Sequence, residues 1–247
     1  KATKGKRDDL VIATKVWVDH MTADKLIQAC EGSLKRLNTD YIDLWQFHGI
    51  STMETYKQVL GPNGAMETAQ KALQEGKIRH IGVTSHSLDM AIKMAPSGHF
   101  ETMQFPFNFV TNEALDELLP LCQKHGVGFI AMKPFAGGML DNAPLAMKWQ
   151  LQFDFVIPDP GIERVEEIEE IVKIVEGSWE LGPEELEEIE RIQAEVGTRF
   201  CRRCQYCLPC PQNINIPMMM NLPSFGKRFS LELVRSDHFV QIVETAK

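Results

Sequence analysis

The chain has 247 residues, 44% apolar and 24% charged, an ordinary globular composition with length enough for one large domain or a large and a small one. Its net charge of -8 argues against a nucleic-acid surface, and no run of about 18 apolar residues offers a membrane span. The start, KATKGKRDDL, lacks the apolar stretch of a signal peptide and an initiator Met, so the true N-terminus is expected to lie upstream.

Short β-rich runs alternate with helical patterns in chain order. The first strand is read at Leu10–Val16. Thr22 is read as the cap of the helix ADKLIQACEGSLKRL, in which Leu26, Ile27, Cys30, Leu34 and Leu37 recur at helical spacing. Strands follow at Ile42–Phe47, Ile78–Val83, Thr102–Phe105, Val127–Met132 and Phe155–Ile157. The helices between them are read at Ala65–Gln74, Ser87–Met94, Asn112–His125 and Val165–Glu176, with Gly76 and Gly126 closing the first and third. Mostly apolar strands alternating with helices predict a parallel sheet buried on both faces. Six βα units suit an open doubly wound sheet, or a (β/α)8 barrel whose first two units lie upstream. Beyond this comes an acidic amphipathic helix, GPEELEEIERIQAEVG, with Pro183 near its start and Gly197 at its end. The cysteine segment follows, then MMMNLPSFGKRF, read as a loop, and HFVQIVETAK, read as the beginning of a helix. Two domains are expected, residues 1–180 and 181–247.

Polar groups recur at strand ends, where barrel active sites are built. Lys15 interrupts an apolar strand and is costly there unless it is paired or faces a polar site; the alternative is an edge lysine reaching solvent. His48 closes IDLWQFHG, His86 closes GVTSHS, Gln104 and Asn108 lie in MQFPFN, and Lys133 closes GFIAMKPFAGG. Lys133, Gly137 and Gly138 suit a diphosphate, through charge and close backbone approach.

Cys201, Cys204, Cys207 and Cys210 follow C-x2-C-x2-C-x3-C-P, the spacing with which thiolates hold a [4Fe-4S] cluster. Zinc is the runner-up, but zinc ligands usually come as two separated pairs. In two-cluster ferredoxins the fourth cysteine of such a run serves the other cluster, so Cys210 is expected to reach away and a second run to lie downstream. If the chain ends at Lys247, either Cys210 closes a single cluster or no complete cluster forms. Cys30 and Cys122 read as small buried hydrophobes, and no secreted disulfide framework is visible, which places the chain in a reducing cytoplasm.

The ordered segments VIATKV, YIDLWQFHGI, GKIRHIGVTSHS, MQFPFNF and GFIAMKPFAGG resemble the aldo/keto reductases over nearly all of residues 8–175. The tail resembles the bacterial branch with a C-terminal ferredoxin-like iron–sulfur domain. The resemblance implies a (β/α)8 TIM barrel that transfers hydride from NADP(H) or NAD(H) to a small carbonyl substrate. Its tetrad of Asp, Tyr, Lys and His places the last two on Lys15 and His48. Lys15 would lower the pKa of the proton donor, and His48 would orient the carbonyl oxygen. The Tyr and Asp belong to units before Lys15, and none of Tyr41, Tyr56 and Tyr206 matches the Tyr position. Thr84, Ser85 and Gln104 fall where the family holds the nicotinamide carboxamide. Met132 stands where many members stack a tyrosine. Arg164, flanked by Asp159 and Glu163, falls in the adenosine loop, where NADP-specific members place basic residues. The readings carried forward are a carbonyl reductase with an appended electron-transfer segment and a redox partner protein, a non-catalytic barrel serving as a redox module, and a zinc-stabilised interaction protein.

Overall fold

The computed structural model describes residues 5–17, 22–196, 201, 207–220, 240 and 244. The described chain forms β1 (Ala13–Trp17), α1 (Ala23–Leu37), β2 (Ile42–His48), α2 (Met53–Leu60), α3 (Ala65–Gln74), β3 (Ile78–Thr84), α4 (Leu88–Met94) and β4 (Thr102–Pro106). It continues through α5 (Leu118–His125), β5 (Gly128–Met132), α6 (Ala143–Gln150), β6 (Val156–Asp159), α7 (Val165–Glu176) and α8 (Pro183–Val196). The six strands lie in one sheet in chain order, and the pairs β1–β2, β2–β3 and β3–β4 are parallel. That order is the one a (β/α) barrel uses, and it excludes the reversal of strand order that defines a doubly wound sheet.

Two compact units make up the chain. The first comprises Lys1–Phe105 and Asp116–Phe129, the second Pro106–Leu115 and Ile130–Lys247. This division differs from the expected boundary near residue 180, because α8 packs into the same core as the strand-end loops. In the second unit Ile189 of α8 is buried with Phe109, Val110, Leu140, Leu145 and Ala146. Gln193 of α8 also donates to the Phe109 carbonyl, and Lys148 of α6 pairs with Glu185 at 2.8 Å.

In the first unit the core is apolar on both sheet faces, with Phe47, Ile78, Val83, Met103 and Leu118 buried. Gly82 of β3 is a close-approach position: a Cβ there would lie 2.1 Å from the Thr102 hydroxyl and 3.1 Å from Gln46 Cγ. Glycine is required because side chains from both neighbouring strands fill the space above it.

Several boundaries depart from the sequence reading. β1 begins at Ala13, and Ile12 just before it is tied to Asp43. The Ile12 N–H donates to the Asp43 carboxylate at 2.9 Å, and Arg7 binds that carboxylate at 2.7 Å. Thr22 stands at the N-cap of α1, but its side chain makes no capping bond. Asn112–His125 is a 3-10 turn at Glu113–Leu115 followed by α5, and β6 runs to Asp159. α2 and α6 are additional helices, capped by Thr52 through the Thr55 N–H and by Asn142 through the Leu145 N–H. Residues 216–220 are helical where a loop was expected to begin at Met218. Of HFVQIVETAK only residues 240 and 244 are described, both helical; its other residues and Gly197 lie outside the described residues. No residue of α7 is buried, and Val165, Ile168, Val172 and Val175 stand exposed. Among the described residues, no helix is long and apolar enough to cross a membrane.

Candidate active site

Within the first unit, the parallel register sets the strand ends beside one another. Lys15 pairs with Gln46 and Trp17 with His48 across β1 and β2, and Thr84 pairs with Gln104 across β3 and β4. Lys15 and Trp17 lie two residues apart on the strand and therefore share a face. Lys15 is solvent-exposed on the edge strand, the alternative already weighed for it. It nevertheless acts on His48, whose pKa is lowered first by burial and second by the Lys15 charge. Both causes favour the neutral imidazole, which can donate a hydrogen bond. Trp17, which is 60% exposed, lies against the His48 ring with centroids 4.1 Å apart and planes at 36°. The sequence reading passed over Trp17; its signal was the two-residue spacing from Lys15.

Thr84, Ser85 and Gln104 are all buried. The Gly49 N–H donates to Thr84 Oγ1 at 2.8 Å, and the Ile50 N–H to the Thr84 carbonyl at 3.0 Å. The Ser85 N–H donates to the Gln104 carbonyl at 3.1 Å, while Ser85 Oγ donates to the Ser87 carbonyl at 3.2 Å. Ser51 Oγ accepts from the His86 N–H at 3.2 Å. These residues thus hold the loops after β2 and β3 at the edge where His48 lies. Ser51 is a second residue that strand-end reasoning missed, since it lies three positions beyond the strand.

Within the second unit, Asn108 organises the loop after β5. Its Nδ2 donates to the Lys133 carbonyl at 2.9 Å, and its Oδ1 accepts from the Val110 and Thr111 N–H groups at 2.9 and 2.8 Å. The loop then turns through left-handed residues: Lys133 at φ 59°, Ala136 at 48°, Gly137 at 71° and Gly138 at 90°. Within that turn the Ala136 and Gly138 N–H groups donate to the Lys133 and Phe135 carbonyls at 2.9 and 2.8 Å, and the two glycines adopt positive φ without a Cβ clash. Met132 ends β5. Arg164 is highly exposed, and its Nε lies 3.1 Å from Glu167, whose carboxylate also accepts from the Glu163 N–H at 2.7 Å. Those bonds hold the Glu167 carboxyl below its ordinary range.

Of the three tyrosines, Tyr41 and Tyr56 lie within the described residues. Tyr41 is sandwiched between the Arg7 and Arg79 guanidinium groups, 3.8 and 3.6 Å from its ring centre, and its hydroxyl donates to Asp8 at 2.9 Å. Desolvation and that carboxylate raise its pKa, the reverse of what a general acid needs. Tyr56 lies on α2, and Tyr206 lies outside the described residues. Cys30 and Cys122 are buried free thiols, as expected. Cys201 and Cys210 are half-buried free thiols and Cys207 is exposed, while Cys204 lies outside the described residues. Among the described residues, no three His, Cys, Asp or Glu side chains converge on a metal-sized site.

A six-stranded α/β sheet in simple chain order has the strand order of a (β/α) barrel protein. Residues 1–144, more than half of the chain, match the model of the aldo/keto reductase family, and the chain belongs to that family. It is 28% identical over 144 residues to the aldo-keto reductase YhdN of Bacillus subtilis, covering 55% of this chain and 42% of that protein. To the methylglyoxal reductase YeaE of Escherichia coli it is 33% identical over 154 residues, covering 58% and 51%. The chain thus spans about half the length of these curated relatives. Among solved structures, an aldo-keto reductase from Klebsiella pneumoniae in complex with NADPH superposes with a TM-score of 0.64 at 26% identity, covering 78% of this chain and 72% of that one. The holo form of a Bacillus halodurans aldo-keto reductase gives 0.64 at 26% identity, covering 77% and 74%.

Proposed function

We propose that this chain carries the Lys–His half of the catalytic centre of an NAD(P)H-dependent carbonyl reductase, with Lys15 and His48 as catalytic residues. The observation that carries this reading is the strand register that sets Lys15 and Trp17 of β1 beside Gln46 and His48 of β2, with Trp17 against the His48 ring. Reduced nicotinamide would supply a hydride to the carbonyl carbon, leaving negative charge on oxygen. His48 orients that oxygen through a donated hydrogen bond, and the Lys15 ammonium stabilises the developing charge. Trp17 gives the carbonyl compound an apolar wall. Thr84, Ser85 and Gln104 would hold the carboxamide by fixing the loops at that edge. Lys133, Gly137 and Gly138 fit a diphosphate through charge and left-handed backbone. Arg164 would meet a 2′-phosphate only in competition with Glu167. The relative solved with NADPH supports NADP(H), and the methylglyoxal reductase supports a small carbonyl substrate.

The test is NADPH-dependent turnover of a panel of aldehydes, ketones and quinones. Lys15→Met should lower turnover by about 10²- to 10³-fold while the NADPH dissociation constant stays nearly unchanged. Unchanged turnover removes Lys15 from the centre. A second reading is a barrel without catalysis; NADPH binding with no turnover of any panel member by the parent protein would select it.

We further propose that Cys201, Cys204 and Cys207 are ligands of an iron–sulfur cluster that exchanges electrons with a redox partner protein, with Cys210 a ligand of that cluster or of a second one. Their soft thiolate chemistry and unbroken spacing support this over zinc. Anaerobic purification should give brown protein with iron, sulfide and absorbance near about 400 nm, and Cys204→Ser should bleach it without unfolding the barrel. Colourless protein containing zinc would overturn it.

A further inference from the structure

On the helical side of the sheet, in the first unit, lies a cavity of about 140 Å³ lined by α1 (Ile27, Cys30), β2 (Trp45) and α3 (Thr68, Lys71, Ala72), with Glu75 and Lys77 at its end. Trp45 alternates with Gln46 and His48 along β2, so this cavity lies on the face of the sheet away from the candidate active site. Its volume approaches that of a cavity able to hold a single benzene ring. Its inner wall is apolar: the Trp45 ring, 3% exposed, with Cys30 and Ala72. The Cys30 thiol is pushed up to about 11 by burial, so it serves as an inert wall and not as a nucleophile. Thr68 also lines the cavity. The charges are unequally committed. Lys77 pairs with both Glu31 and Glu75 at 3.0 Å, whereas Lys71 reaches Glu75 only at 3.9 Å and is 69% exposed.

We propose that this cavity binds a small aromatic carboxylate, its ring inward against Trp45 and Cys30 and its carboxylate at Lys71 and Thr68. An apolar pocket of one-ring size provides the burial, and the less committed ammonium selects the charge of the head group. This site is independent of the reductase reading.

Benzoate, toluene and benzylammonium are the probes, followed through the tryptophan indole resonances of the intact chain. The Trp45 Nε1–H is buried without a hydrogen-bond partner, so its resonance should report sensitively on a ring beside it. Benzoate at millimolar concentration should shift the Trp45 resonance, toluene should do so more weakly, and benzylammonium least. Lys71→Gln should weaken benzoate by about two- to fivefold and leave toluene unchanged. Ile27→Phe, made at a half-exposed position where folding is preserved, should fill the mouth and abolish both responses. Retention of the benzoate shift in Lys15→Met separates this cavity from the candidate active site. A Trp45 resonance that does not move with benzoate, or that moves equally with all three probes, would overturn the proposal.

Discussion

His48 shows how little of a side chain's chemistry resides in its identity. Alone at a strand end it is more often a structural histidine than a functional one. What distinguishes it is partial burial, a tryptophan against its ring and a lysine charge from the neighbouring strand. Burial and Lys15 both depress its pKa, so any stability it contributes is present above its unfolded value of about 6.5 and is lost as pH falls through the folded value. Lys15→Met should raise the His48 titration midpoint part of the way back, since burial remains, and a histidine-resolved NMR titration reads it directly. An unmoved midpoint would mean that the Lys15 charge does not reach His48. Tyr41 is the converse case. No local pattern signals that it is clamped between two arginines, because Arg7 and Arg79 come from distant segments.

At the element scale, Asp43 secures the entrance of the sheet. It accepts from the Ile12 N–H and from Arg7, and Arg79 lies 3.2 Å from its other oxygen. Burial works to raise its pKa, but these bonds outweigh it and hold the carboxyl below its usual range. Its stabilisation is therefore present above the unfolded carboxylate pKa and lost as pH falls through the folded value. Asp43→Asn should cost about 2–4 kcal/mol at pH 7, and should flatten the acid limb of the stability profile measured by denaturant unfolding. A variant equal to the parent at pH 7 would show that the cluster contributes nothing. The helices and strands themselves were legible from periodicity, apart from α2 and α6, whose eight-residue lengths carry too few turns for a periodic signal. The β1 boundary was misplaced because Leu10–Ile12 is as apolar as a strand, yet Ile12 bonds to a carboxylate.

For the whole molecule, length and composition allowed a large domain followed by a small one, whereas compactness divides the chain elsewhere. α8, read as part of a tail, contributes Ile189 to the core of the second unit. Ile189→Ala should cost about 2–4 kcal/mol, seen as an earlier unfolding of the 19F-labelled Trp149 resonance, which reports on that unit. An unshifted Trp149 transition would show that α8 does not support this core. Family membership was also legible, because the ordered strand-end motifs are local in sequence.

By itself the sequence determined the βα alternation, the family, the strand-end residues and the cysteine spacing. All of these depend on local pattern. Only the tertiary structure decided that Lys15 and Trp17 face His48, that Thr84 and Ser85 brace neighbouring loops, that Arg164 is engaged by Glu167, and that Tyr41 is unsuited to donate a proton. Those outcomes depend on register, burial and the charges of distant segments, which pattern along the chain does not encode.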